Sequence, residues 1–431
     1  MKKKSFTHLK IVACMLLVSL VTNASAQVDF DEYFSDQTLR VDFIFAGNAE
    51  QELIYLDKIK KEPFWGGNRT RLINPLDYGE YQLVVYDSAT RKKIYQNGFS
   101  TLFEEWQTTN EALKVDKGFE QSVRFPFPKN PVQIKIFSRS WEGEFNEVYA
   151  LDIDPDDYFI DPETHDYPYE KLVDHGNPAE KADIVFLAEG YTANQMDKFK
   201  KDVQRLVSYL FSQPPFDTEA EKFNIWIVKS PSEESGTDIP GRDIYKKTVL
   251  NSNFYTFDSE RYLTTDNFHM VSDVASVVPY DDICIVVNSE KYGGGGIYNH
   301  YAIFTADHPS AETVFIHEFG HSFAGLGDEY YTSSTSYNDF YNLDIEPWQP
   351  NITTLKAFDT KWKVMVDEDT PVPTPRKKEY KNVVGVFEGG GYVSKGMFSP
   401  FMDCRMKSNA ADGFCPVCRE AIKEMIKSKS E

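Results

Sequence analysis

The chain has 431 residues, with 46 Lys and Arg against 67 Asp and Glu, a formal net charge of −21 at pH 7. The length allows two domains. No basic groove is evident against so acidic a background, which argues against nucleic acid as a partner. The simplest meaning of the charge is solubility, and it would also favour neutral or basic segments in a substrate.

Lys2, Lys3 and Lys4 precede an eleven-residue apolar run, Ile11–Val21, and Ala24-Ser25-Ala26 follows it. This is the layout of an export signal cleaved after Ala26. The run is too short to span a bilayer. Cys14 stands early in the run, unlike the cysteine of a lipid-attachment box, which follows the apolar stretch. No other segment is apolar enough to be a transmembrane helix. Loss of residues 1–26 removes four lysines and no acid, taking the charge from −21 to −25. The mature chain is expected to be exported: secreted, periplasmic or at the cell surface.

Residues 27–165 read as a small antiparallel β-sandwich. Apolar and polar residues alternate in Leu39–Phe45, Tyr81–Tyr86 and Gln133–Phe137, and Gly66-Gly67-Asn68 and Pro75-Leu76-Asp77 punctuate the runs. Asp152, Asp154, Asp156 and Glu163 fall at loop positions of a calcium-binding EF-hand. Asp157 replaces the required glycine, and Pro155 and Pro162 flank the pattern. An acidic interdomain linker is the preferred reading.

From residue 166 to 431 the pattern becomes α/β. Ile184–Leu187 is a continuous apolar run, as in a strand covered on both faces. Thr192 and Gln195 make a capping box, and Met196, Phe199, Val203, Leu206 and Leu210 mark an amphipathic helix. Phe223–Val228 and Ile283–Val287 are further strands. Gly293–Gly296 would be a flexible rim, followed by Tyr298–Ala306 as either an edge strand offered to an extended peptide or a core strand.

Next comes His317-Glu318-Phe319-Gly320-His321, an HExxH motif. Ser310 is the expected N-cap and Gly325 the stop of its helix. Positions four apart share a helix face, so His317 and His321 aim two imidazoles at one point, as a zinc site requires. Glu318 lies beside that point, where it could take a proton from a metal-bound water. A third ligand is needed. Gly325-Leu326-Gly327-Asp328 turns the chain back, which favours Asp328 over Glu329.

Cys284 lies in a strand and reads as a core thiol. Cys404, Cys415 and Cys418 cluster near the C-terminus. They lack a fourth ligand for a structural zinc site, so a disulfide from Cys404 to Cys415 or Cys418 is expected in an exported protein. A redox role for Cys415-Pro416-Val417-Cys418 lacks the surrounding βαβ pattern.

Four stretches resemble the IgA-cleaving metalloendopeptidase family of secreted bacterial enzymes. They are IVFLAEGYTANQMDKFKKDVQRLVSYLF after Asp183, HEFGHSFAGLGDEY (His317–Tyr330), VFEGGGYVSKGMFSP (Val386–Pro400), and CRMKSN with CPVCREAI (Cys404–Ile422). The resemblance runs from about Gly176 onward and more weakly through the strand-rich N-terminal part. It implies a metzincin-like zinc peptidase domain with Zn²⁺ on His317, His321 and Asp328, Glu318 as general base, and Met406 in a methionine turn beneath the metal. Tyr330, Tyr331 and Tyr392 are the candidates for an oxyanion donor. The expected function is a zinc endopeptidase acting on extracellular protein, possible substrates being immunoglobulin and mucin-type glycoproteins. The competing expectation is a glycan- or protein-binding protein with a structural zinc.

Overall fold

The structure is a computed structural model and describes residues 27–162, 164–331 and 340–431. The expected export signal and Glu163 of the acidic stretch lie outside those residues.

A short helix α1 (Phe30–Tyr33) leads into β1 (Phe34–Gly47), β2 (Glu52–Glu62), β3 (Tyr81–Asp87) and β4 (Lys93–Phe99). Helix α2 (Leu102–Gln107) follows, then β5 (Lys117–Pro128), β6 (Val132–Arg139) and β7 (Phe145–Ile153). These strands form two antiparallel sheets, in the orders β2-β1-β5 and β4-β3-β6-β7. Leu39, Val41, Phe43 and Phe45 of β1 all point inward and are buried. The sheets meet through aromatic rings, Phe45 on Tyr81 at 5.2 Å and Phe43 on Tyr149 at 5.3 Å between centroids. The polar residues Arg40 and Asp42 of β1 are buried as well, against a helix from later in the chain. There Arg40 pairs with Asp42 at 2.8 Å, Glu62 at 2.9 Å and Asp273 at 2.5 Å, and Lys60 adds a 2.7 Å contact to Asp273. The acidic stretch is no EF-hand loop. Asp152 is on β7 and accepts a hydrogen bond from Gln133, while Asp154 turns the chain by accepting from the Asp156 N–H.

The second half runs β8 (Tyr169–Val173), β9 (Ala182–Glu189), α3 (Met196–Leu210), α4 (Phe216–Glu219) and β10 (Phe223–Val228). A two-residue pair, β11 (Ser252–Asn253) and β12 (Thr264–Thr265), precedes α5 (Phe268–Ala275), which carries Asp273. Then come β13 (Asp282–Val287), β14 (Gly294–Ile297), β15 (Tyr301–Thr305), α6 (Ala311–Ala324), the hairpin β16 (Phe387–Gly390) and β17 (Val393–Ser399), and α7 (Pro416–Ser430). Six strands form one sheet in the order β14-β15-β13-β9-β10-β8. The four inner strands are parallel, and β14 and β8 are antiparallel edges.

The uninterrupted apolar run of β9 follows from this layering. Ile184, Phe186 and Ala188 face a core shared with α3, α6 and α7, while Val185 and Leu187 face the core that includes α5 and the N-terminal sheets. Helix α3 begins as the capping box requires, with Gln195 accepting from the Thr192 N–H at 3.0 Å. It buries Phe199, Val203, Leu206 and Leu210. At roughly 2 kcal/mol for each such side chain, packing rather than intrinsic propensity holds the helix in place.

Three expectations need correction. The glycine run is not a rim before an edge strand. Gly294–Ile297 is itself the edge strand, and Tyr301–Thr305 is a core strand beside β13. Ser310 occupies the N-cap position of α6 but makes no capping hydrogen bond, because its backbone is not extended there (φ −97°, ψ 13°). The disulfide from Cys404 to Cys415 or Cys418 is absent: all four described cysteines are free and buried. The three C-terminal thiols gather instead around Glu329.

Candidate metal and catalytic centre

Helix α6 lies against β14 and β15, with Phe315, Phe319 and Phe323 in the core. Its other face carries His317, Glu318 and His321 into a cleft of about 410 Å³. Gly325 ends the helix in the left-handed conformation, φ 62°. The Gly325 and Leu326 N–H groups close the last turn onto His321 O at 3.0 Å and Gly320 O at 3.2 Å. The reversal brings Asp328 back over the helix. Asn351 fixes it there through two hydrogen bonds with the Gly327 backbone, at 2.7 and 2.8 Å.

His317, His321 and Asp328 therefore converge. Asp328 Oδ1 lies 3.2 Å from His317 Nε2 and 3.3 Å from His321 Nε2, and the two Nε2 atoms are 3.2 Å apart. Each Nδ1 faces a backbone carbonyl: Arg405 O for His317 at 3.0 Å, and Leu326 O for His321 at 2.5 Å. With those protons committed, both Nε2 atoms present lone pairs to the common point. Asp328 Oδ1 is buried and has no hydrogen-bond partner. Three acceptors aimed at one another are explained by a cation between them. Ligands of a tetrahedral zinc with bonds of 2.0–2.1 Å stand about 3.3–3.4 Å apart, and the observed separations agree.

The electrostatics point the same way. Burial would raise the Asp328 carboxyl, but the neighbouring imidazoles reverse this and hold it well below the usual carboxylate range. Burial would lower His321, yet Asp328 raises it to about 9. The pair thus holds a proton at the point where the three ligand atoms meet, and binding of a metal there would release it.

Glu318 sits at the cleft beside β14. A Cβ on Gly294 would meet its Oε1 at 2.7 Å. Burial pushes its carboxyl upward, opposed by His317 and His321. Met406 lies beneath the histidines, close enough that a Cβ on Gly320 would be 2.8 Å from its Sδ. Glu329, the alternative third ligand, points away from the cleft. Its N–H binds Met406 O at 2.8 Å, and its carboxylate meets Asn351 at 3.1 Å and Cys418 at 3.2 Å.

Among the tyrosines, Tyr330 and Tyr392 line the cleft. Tyr331 packs beside Gly389 under the cations of Arg376 and Lys407. Tyr392 donates its hydroxyl to Asp328 Oδ2 at 2.7 Å. Its backbone is left-handed, φ 66°, at the tip of the β16–β17 hairpin, a conformation costly for a bulky residue. There Gly391 N–H binds Asp328 O at 2.8 Å and Tyr392 N–H binds Tyr330 O at 3.1 Å. The hairpin thus clamps the segment bearing Asp328 from outside. The glycines before Tyr392 signal the tight tip, but the carbonyls of Arg405 and Leu326 and the lone Asn351 leave no signal in the sequence. The N-terminal half contributes Glu80, Glu104 and Glu105 to the cleft wall, a role its strand pattern does not reveal.

A largely parallel sheet flanked by helices thus presents two imidazoles and the carboxyl groups of Glu318 and Asp328 to one cleft. The family model described as IgA Peptidase M64 matches residues 171–382 and 376–426, and the model described as Peptidase M64 N-terminus matches residues 29–150. The chain belongs to the M64 peptidase family, a family of metallopeptidases whose substrates are proteins. A comparison with curated proteins finds no match. No helix among the described residues is long and apolar enough to cross a membrane.

Proposed function

We propose that this peptidase is an exported, zinc-dependent endopeptidase with a metzincin-like catalytic domain, acting on extracellular proteins of the immunoglobulin or mucin type. The observation that carries the zinc assignment is the convergence of His317 Nε2, His321 Nε2 and Asp328 Oδ1 at 3.2–3.3 Å, with both Nδ1 atoms engaged elsewhere. The antiparallel edge strand beside the HExxH helix and Met406 under the histidines support the metzincin-like reading.

Zinc held by these three residues would supply Lewis acidity, acidifying a water and polarising the scissile carbonyl. Glu318 accepts the proton of the attacking water and returns it to the leaving amine. Tyr392 holds Asp328 through its hydroxyl, and Tyr330 and Arg261 line the same cleft and offer donors for the carbonyl oxygen. Edge strand β14 offers backbone groups to an extended peptide. Glu80, Glu104 and Glu105 line the wall, but burial pushes the carboxyls of Glu80 and Glu104 upward, so a preference for a basic side chain in that peptide rests on the acidic charge of the whole chain.

The competing reading, a binding protein with a structural zinc, gives Glu318 no task. Glu318→Gln separates the two. The variant is expected to keep wild-type metal content, since every ligand stays in place, and to lose about 10²–10⁴-fold in kcat on a cleavable protein. A metal-loaded Glu318→Gln chain of full activity would remove Glu318 from the mechanism. Dialysis against a chelator should abolish cleavage and added zinc should restore it.

A further inference from the structure

Glu329, Cys404, Cys415 and Cys418 form a second cluster. Their ligand atoms all lie within 4.8 Å of one another, all four residues are buried, and none lines the catalytic cleft. Cys415 is the N-cap of α7 and Cys418 lies in its first turn, so the CPVC segment presents both sulfurs on one side of a helix N-terminus. Cys404 arrives from the strand-free segment that also carries Arg405 and Met406, and Glu329 from the reversal after α6. Cys404 Sγ is 3.7 Å from Cys418 Sγ, and Cys418 Sγ is 3.2 Å from Glu329 Oε1. A disulfide would need about 2.0 Å between sulfurs. A tetrahedral zinc with Zn–S bonds of 2.3 Å and a Zn–O bond of 2.0 Å would place sulfurs about 3.8 Å apart and a sulfur and oxygen about 3.5 Å apart.

Two buried polar atoms lack hydrogen bonds. Glu329 Oε2 has no hydrogen bond, and neither does the ammonium of Lys407 close by. A carboxylate removed from water and left half-satisfied is expensive unless a cation completes it. The Cys415 N–H already points at Cys404 Sγ, at 3.2 Å, as a backbone donor to a thiolate does.

We propose that Cys404, Cys415, Cys418 and Glu329 bind a second zinc ion, in a closed four-ligand site that serves structure rather than chemistry. Four protein donors leave no position for water or substrate. The site ties together three segments that shape the catalytic centre. Glu329 adjoins Asp328, Cys404 adjoins Arg405, whose carbonyl holds His317, and α7 packs against α6 in the same core. Lys407 offsets part of the negative charge that three thiolates and a carboxylate bring to one divalent ion.

The test is metal stoichiometry of the purified full chain by elemental analysis, with cobalt(II) as the spectroscopic probe. The His317→Ala/His321→Ala double variant is expected to retain one zinc per chain. Its cobalt(II) form should show intense near-ultraviolet thiolate-to-metal absorption. The wild-type cobalt(II) protein should show the same band, so the result does not depend on one variant folding. A histidine variant without zinc, absence of that band from the wild-type cobalt protein, or peptide mapping that finds Cys404 bridged to Cys415 or Cys418 would overturn the proposal. The catalytic zinc is judged separately, by the difference between wild type and the histidine variant, which should be one ion per chain.

Discussion

At the scale of single residues, the centre divides into groups that aim at the common point and groups that aim those groups. Tyr392 is of the second kind. Tyr392→Phe removes one hydroxyl and its 2.7 Å bond to Asp328 while leaving the ring packed. Metal affinity, measured by competition with a chelator, is expected to fall about 10–100-fold. An unchanged affinity would mean that the hairpin backbone alone holds Asp328. The residues that aim at the point were legible in the sequence because their geometry is local. An i, i+4 repeat on a helix and a glycine stop three residues before Asp328 put three donors within one turn and one reversal. Glu329 was legible only as a rival to Asp328, because its actual companions lie about ninety positions away at Cys418. The same distance hid the fate of the cysteines. With no fourth ligand near them in sequence, a bridge was the natural expectation, and the carboxylate that completes the cluster comes from the reversal after α6, far away along the chain.

Among the elements, β14 shows what a glycine run can mean. Four glycines in a row read as flexibility, yet Gly294 and Gly296 lie in a paired strand pressed against α6. A Cβ on Gly296 would come within 2.3 Å of Glu318 O, a backbone atom that cannot turn aside. Gly296→Ala is therefore expected to push β14 off the helix, costing about 1–3 kcal/mol of stability and lowering kcat/KM through the displaced Glu318. Thermal unfolding and peptide kinetics would check this. A variant with wild-type Tm and activity would show that the strand yields freely. The strands and α3 were legible because period and capping are local signals. The position of β14 was not, because close approach of two backbones leaves only an absence of side chains, which a loop shows equally.

Across the whole molecule, the N-terminal sheets and the catalytic sheet share one apolar core, joined by the buried charges around Arg40 and Asp273. His300 lies within that junction. Its ring stacks on Phe268 at 3.7 Å, neither nitrogen has a hydrogen-bond partner, and burial lowers its pKa to about 3. The unfolded chain would take up this proton near pH 6.5, and the folded chain resists it down to about pH 3. The stability linked to His300 is thus present above pH 6.5 and lost as pH falls toward 3, at about 1.4 kcal/mol per pH unit. His300→Phe keeps the stack and removes the proton site. Urea midpoints at pH 7 and pH 4 should show a smaller acid loss for the variant than for wild type. Equal losses would mean that His300 is protonated in the fold without penalty.

The hydrogen bond from His317 to Arg405 O spans 88 positions. A polypeptide is made in one direction, so the HExxH helix emerges well before the carbonyl that orients it, the methionine beneath it and the cysteines that brace both. At about 5–20 residues per second, that interval lasts several seconds. Throughout it the two histidines exist without the surroundings that would make them a peptidase. A growing chain of this sequence therefore has no assembled centre until the segment carrying Arg405 and Met406 has been made.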